Sequence, residues 1–279
     1  MLTSLRYFIA AAAAAGSLGA QVLMLDFGPT VADGSSLTDS PYHSADGDFA
    51  DDGWNTITDS SGQSGTFAPV SDLLWSDGSA ASGITLDVAA GASAGSTSMD
   101  LDRGFIQSLA LGTNINTGVY ADNSVAKDGI FIGSSTGNAF AVGFQISGLA
   151  AGDYEIYLTG RNTNLNNAST TTFHYATSAT SGDFNFSGYD SQTLSYESGT
   201  TDATSSWVVG ENFVKLSFTI TSGDVLNIAV LGGGGDSRGF LSSAQIVYAS
   251  IPEPASAGLL AGVGLLGFAA IRRRGRTAA

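Results

Sequence analysis

The run from Phe213 to Ile220 constrains the fold of this chain more than any other feature. It places Val214, Leu216, Phe218 and Ile220 on one face, and Lys215, Ser217 and Thr219 on the other. Side chains alternate with period two along a strand, so this is the pattern of a half-buried strand and not of a helix. The same reading predicts strands at Val22–Phe27, stopped by Gly28-Pro29, at Ile84–Val88, Asp128–Gly133, Ala139–Ile146 and Tyr154–Thr159. Thr172–Ala176, Val225–Leu231 and Gly239–Tyr248 follow. Thr221–Asp224 reads as the turn of a hairpin joining 213–220 to 225–231. The 37 glycines, with Asn and Ser clusters, supply the turns between runs. A short helical turn is expected around Asp100–Leu111, and polar surface loops at 161–171 and Gly232–Asp236. Many short strands without helical periodicity between 21 and 251 predict an all-β domain. The expected architecture is an antiparallel, jelly-roll-like β-sandwich.

The two ends read differently. Arg6 precedes the apolar segment Tyr7–Ala15, and Leu18-Gly19-Ala20 forms a small-residue cleavage site. This predicts a cleavable signal helix over 1–20, cut between Ala20 and Gln21. At the other end, Pro252-Glu253-Pro254 precedes Ala255–Ile271, an uncharged stretch of 17 residues, then Arg272, Arg273, Arg274 and Arg276. Seventeen helical residues span about 26 Å, enough to cross a thin hydrocarbon core. The arginines beyond the span predict a cytoplasmic C-terminus. The expected domains are therefore a signal peptide (1–20), an extracytoplasmic β-sandwich (21–251) and a tail (252–279). The tail holds a transmembrane helix at 255–271 and an Arg-rich end at 272–276.

This tail resembles the PEP-CTERM sorting signal of Gram-negative bacterial proteins. That signal is a Pro-Glu-Pro, a short transmembrane helix and an Arg cluster in fixed order. The resemblance implies that the chain is a substrate of an exosortase. It also implies passage through the secretion machinery, a transient stay in the inner membrane, and delivery to the cell surface or extracellular matrix. A plain membrane anchor is the competing reading. Leu149-Ala150-Ala151-Gly152-Asp153-Tyr154 is similar to a strand entry of galactose-binding-like and carbohydrate-binding jelly rolls. Leu25–Pro29 with Gly53-Trp54-Asn55 is similar to malectin-like sandwiches of secreted bacterial proteins.

Charge narrows the partners. The chain has 25 acidic and 10 basic residues; Arg6 and the four tail arginines account for half of the bases, and Glu253 for one acid. Residues 21–251 therefore carry 5 basic and 24 acidic side chains, a net charge of −19. Such a surface repels nucleic acid and anionic lipid. The absence of cysteine excludes disulfides, zinc–thiolate sites and a thiol nucleophile. No ATP, NAD or haem motif is present, so no cofactor is implied.

Few residues invite chemistry. Gly235-Asp236-Ser237-Arg238-Gly239 fits G-x-S-x-G, but a strand follows instead of a helix, and His43 and His174 both precede it. A Gly-rich loop is the favoured reading. Glu155, Glu197 and Glu211 are the only glutamates of the middle region, and no pair stands out for glycoside hydrolysis. Asp46, Asp48, Asp51 and Asp52 leave a β-loop calcium site open, with Ala50 breaking an EF-hand count; a solvated acidic turn is favoured. Trp54, Trp75 and Trp207 are the candidates for stacking on a sugar ring, weighed against the core role usual for tryptophan. The reading that results is an exported surface or matrix protein without catalytic activity and with weak affinity for extracellular polysaccharide. Its rival is a secreted carbohydrate-active enzyme or lectin.

Overall fold

Val22–Phe27 (β1) is apolar at every position except Asp26, and all six residues are buried. A strand covered on both faces must sit inside a layered structure, and the fold is built around it. The computed structural model describes residues 21–28, 40–45, 53–58, 64–65, 67–104, 106–109, 114–121, 124–198 and 205–249. Two compact units divide the chain, Met1–Tyr248 and Ala249–Ala279. The signal segment, the acidic run at 46–52 and the tail from 250 onward lie outside the described residues. Among the described residues no helix is long and apolar enough to cross a membrane.

The strands that follow β1 are β2 (Asn55–Ile57), β3 (Ser64–Gly65), β4 (Thr85–Gly91), β5 (Ser98–Asp100) and β6 (Ile106–Leu109). Next come β7 (Gly129–Phe131), β8 (Ala141–Ser147), β9 (Gly152–Thr159), β10 (Ser169–Ser178) and β11 (Phe184–Asn185). The last are β12 (Asp190–Tyr196), β13 (Val214–Ile220), β14 (Val225–Gly234), β15 (Phe240–Leu241) and β16 (Ser243–Tyr248). One sheet has the order β13-β9-β16-β1-β2, a second β11-β5-β4-β8-β14-β10-β12, and a small third β15-β7-β6-β3. The pairings are antiparallel apart from β1 with β2.

The first two sheets enclose the main core. Leu23, Leu25, Phe27, Ile156, Leu158 and Ile246 meet Leu86, Val88, Val142, Phe144, Phe173 and Ile228. Phe27 stacks on Phe144 with ring centroids 5.4 Å apart, tying one sheet to the other. Alternation sends Val22 and Met24 to the opposite face of β1, where Tyr42, Tyr120, Trp207 and Phe213 bury them in a second cluster. Phe184 and Phe186 cover Ala89, Ala141 and Ala229, which form a floor of small side chains on the outer face of the seven-stranded sheet. The fold is an all-β sandwich, as expected, with a third small sheet that the alternation did not reveal.

Four local expectations are corrected. The 221–224 turn does not close a hairpin: β13 pairs with β9 and β14 with β8 and β10, so the chain crosses from one sheet to the other. The reason lies in β14, whose first six residues are all buried and which therefore needs a neighbour on each side. No helical turn forms at 100–111 among the described residues; β5 and β6 occupy its ends. The 161–171 stretch is not a plain surface loop, since Arg161, Asn162 and Thr163 are buried. The Arg161 guanidinium lies over the rings of Tyr196 (4.6 Å) and Tyr120 (5.2 Å), and Asn162 donates to Asp236 (2.8 Å). Gly232–Gly234 extends β14 instead of forming a loop. A Cβ at Gly232 would collide with the Arg238 carbonyl, so only glycine lets the chain turn back this closely.

Candidate functional site

The three tryptophans separate by burial. Trp207 is 6% exposed and packs edge-on against Phe213, with centroids 6.3 Å apart. An indole so enclosed offers no face to a sugar. Trp54 is half-buried and packs against the same second cluster. Trp75 is half-buried at the edge of the main core and lines a cavity. Trp54 and Trp75 are both half-buried, and of the two it is Trp75 that lines a cavity.

That cavity, of about 350 Å³, is walled by Trp75, Tyr154 and Tyr248, with Gln21, Ser82 and Ile84 around them. Its geometry follows from strand register. β1 and β16 run antiparallel, pairing Val22 with Val247, so the start of one strand lies beside the end of the other. The Tyr248 N–H donates to the Gln21 carbonyl at 3.4 Å. β16 pairs Tyr248 with Tyr154 of β9, and the two rings meet edge-to-face at 5.1 Å. The Tyr154 hydroxyl donates to the Ala150 carbonyl (2.9 Å), which fixes the ring. Burial, with Tyr248 nearby, pushes the Tyr154 hydroxyl up to about 12, so it stays a neutral donor. Tyr154 falls within the strand-entry motif read from sequence; Tyr248 carried no such signal.

Of the groups considered for catalysis, Ser237, Asp236 and Glu155 are engaged elsewhere. The Ser237 hydroxyl donates to the Gly137 carbonyl (3.0 Å), and Asp236 pairs with Arg238 at 2.8 Å. The G-x-S-x-G segment thus joins two strands, as the loop reading predicts. Glu155 binds Lys215 at 2.8 Å and accepts from the Tyr157 hydroxyl at 3.0 Å. His174 sits on β10 against the Phe186 ring at 4.8 Å, and burial holds its imidazole below the usual value. Among the described residues no group of three or more His, Cys, Asp or Glu is placed to hold a metal ion. Asp46, Asp48, Asp51 and Asp52 fall outside those residues.

One carboxylate is strained electrostatically. Burial, then the charges of Asp102 and Asp183, push Asp87 on β4 up to about 6. Its folded value exceeds its unfolded one, so folding takes up a proton and the ionised form is costly above pH 6. A shift of this size corresponds to about 3 kcal/mol at most, and solvent screening of this half-exposed group brings the expectation to about 1–2 kcal/mol. Asp87→Asn should therefore raise the melting temperature at pH 8, with the gain disappearing below about pH 4. Thermal unfolding of both proteins across that range is the check, and an equal gain at both ends would contradict the electrostatic cause.

Residues 250–274 match the model of the PEP-CTERM protein-sorting motif. The chain carries a PEP-CTERM sorting motif. The matched span contains Pro252, Glu253 and Pro254 and the arginines 272, 273 and 274, while Arg276 lies just beyond it. The motif implies export and sorting through an exosortase. A search of the curated proteins found none that matches. Among solved structures, the sandwich aligns with TmCBM61 in complex with β-1,4-galactotriose at 10% identity and a TM-score of 0.26, over 58% of this chain and 88% of that one. It aligns with the xylan-binding module CBM15 at 9% identity and a TM-score of 0.26, over 58% and 91%. A third alignment is with the enzymatically active domain of bacteriophage CBA120 tailspike protein 4, at 10% identity and a TM-score of 0.24. It covers 60% of this chain and 19% of that one. Scores this low carry no argument about ligand or activity.

Proposed function

We propose that this protein is exported and sorted by an exosortase to the cell surface or exopolysaccharide matrix. There its sandwich serves as a non-catalytic module with weak affinity for carbohydrate. The observation that carries the proposal is the sorting motif at 250–274. An N-terminal signal over 1–20 would start export, and the uncharged 255–271 segment would hold the chain in the inner membrane until processing. The carbohydrate part rests on the cavity beside Gln21. Aromatic walls with a few polar groups suit the C–H faces and hydroxyls of a pyranose, and the volume falls in the range of small-ligand sites.

Two experiments test the two parts separately. Replacing Pro252, Glu253 and Pro254 with alanine in the native host should shift most of the protein from the surface and medium into the inner-membrane fraction. An unchanged distribution would remove the motif from the account. Binding to an array of neutral β-linked oligosaccharides should weaken about tenfold in Trp75→Ala, since loss of a stacking ring is worth about 1–2 kcal/mol. Equal binding by the variant would move the site away from the cavity.

A further inference from the structure

A second cavity, of about 410 Å³, opens where the edge strands of the two sheets approach one another. β12 ends the seven-stranded sheet and β13 the five-stranded one. The register of β10 with β12 sets Tyr175 opposite Asp190, and Ser217 and Thr219 line the cavity from the solvent side of β13. Tyr189 is held in place: its ring stacks on Phe184 (6.3 Å, interplanar 5°), and its hydroxyl accepts from Asn227 at 3.2 Å. Asn227 in turn accepts from Gln145 at 2.7 Å. These contacts hold the Tyr189 ring on the outer face of the seven-stranded sheet, whereas Tyr175, packed against the main core, shares the other face with Asp190.

The lining sets the ligand class. Among the described residues that line this cavity none is cationic, and Asp190 contributes a carboxylate, so phosphate and other anions are disfavoured. The half-buried Tyr175 ring beside the Ser217 and Thr219 hydroxyls and a carboxylate acceptor matches a neutral, polyhydroxylated ring instead. The cavity is also close to the first one. Phe218 lines this cavity, Tyr154 lines the Trp75 cavity, and their rings stack at 5.5 Å with an interplanar angle of 8°. This stacked pair joins the lining of one cavity to that of the other.

We propose that the Tyr175–Asp190 cavity is a second saccharide subsite, taking a neutral sugar unit and making the module bivalent for polysaccharide. This rests on the carbohydrate reading of the Trp75 cavity and extends it. Two weak sites on one rigid body hold a polymer far more tightly than either alone, which is the property a matrix protein needs.

The test is calorimetric titration of the full folded chain with neutral β-linked oligosaccharides selected on the array. Wild type is compared with Trp75→Ala, Tyr175→Ala and Asp190→Ala. Asp190 is an exposed residue at the start of an edge strand, so its variant keeps the fold even if loss of Tyr175 disturbs it. Asp190→Ala and Tyr175→Ala are expected to weaken binding about tenfold each, comparable to Trp75→Ala. Trp75→Ala combined with Asp190→Ala should abolish it. If only Trp75→Ala weakens binding and Asp190→Ala stays within about twofold, the second subsite is overturned and the first reading stands. If wild type binds none of the saccharides, both fall together.

Discussion

Alanine in place of Phe144 should lower the unfolding free energy by about 3–5 kcal/mol, the range for deleting a buried aromatic ring. Phe144 is fully buried on β8, and its ring is stacked against Phe27 of the facing sheet. Removing it opens a void between two sheets whose backbones are tied by ladders on both sides, so the site has little room to collapse. For a domain of this size the melting temperature should fall by roughly 6–20 °C. Val209, 57% exposed, is the control, and its alanine variant should stay within about 0.5 kcal/mol. Chemical denaturation of both variants measures the difference. A loss below about 1 kcal/mol for Phe144→Ala would mean that the two sheets do not pack through this ring.

A methyl group added one residue earlier should be almost as damaging. Gly143 lies between Ala89 of β4 and Ala229 of β14 in the sheet register. A Cβ built there stands well under 3.0 Å from the Ile228 carbonyl oxygen, a backbone atom that cannot swing aside. Gly143→Ala must push β8 and β14 apart, and the expected loss is about 3 kcal/mol, at the upper end for overpacking. Gly91 provides the comparison. Its Cβ would sit 3.3 Å from the Ala141 nitrogen, a tight contact that small shifts relieve. Gly91→Ala should therefore cost clearly less than Gly143→Ala. Equal losses would show that glycine's general effect on strand stability, and not the Ile228 carbonyl, dominates.

Strand positions were legible in the sequence wherever one face meets solvent. β13 alternates buried and exposed residues along its whole length, and the inward set Val214, Leu216, Phe218 and Ile220 is the one read from the sequence. Partnership was not legible. A four-residue turn between two strands looks local, yet Thr221–Asp224 carries the chain between sheets, because β14 is buried on both faces and belongs in the middle of its own sheet. Arg161 looked like a loop residue because nothing near it in sequence announces the rings of Tyr120 and Tyr196, 41 and 35 positions away. The tryptophans likewise could not be ranked from sequence: the burial of Trp207 depends on Phe213 and the second cluster, and the exposure of Trp75 on the neighbouring strand ends. Both cavities are assembled from distant segments through strand register. Tyr175 and Asp190 had no motif of their own; Gly188 at φ 85 is the one local sign of the turn that leads into β12 and sets Asp190 opposite Tyr175.

The sorting motif, by contrast, is written contiguously, so it was legible without a fold. Its consequence is a defined change in the covalent chain, and intact mass measures that change directly. The protein should be recovered from the envelope and the medium of its native host and weighed whole. The account predicts a mass lacking residues 1–20 and everything beyond about Pro254, with any added mass reporting what the chain was joined to. A mass that still contains Ala255–Ala279 would contradict exosortase processing and leave the tail as a permanent anchor.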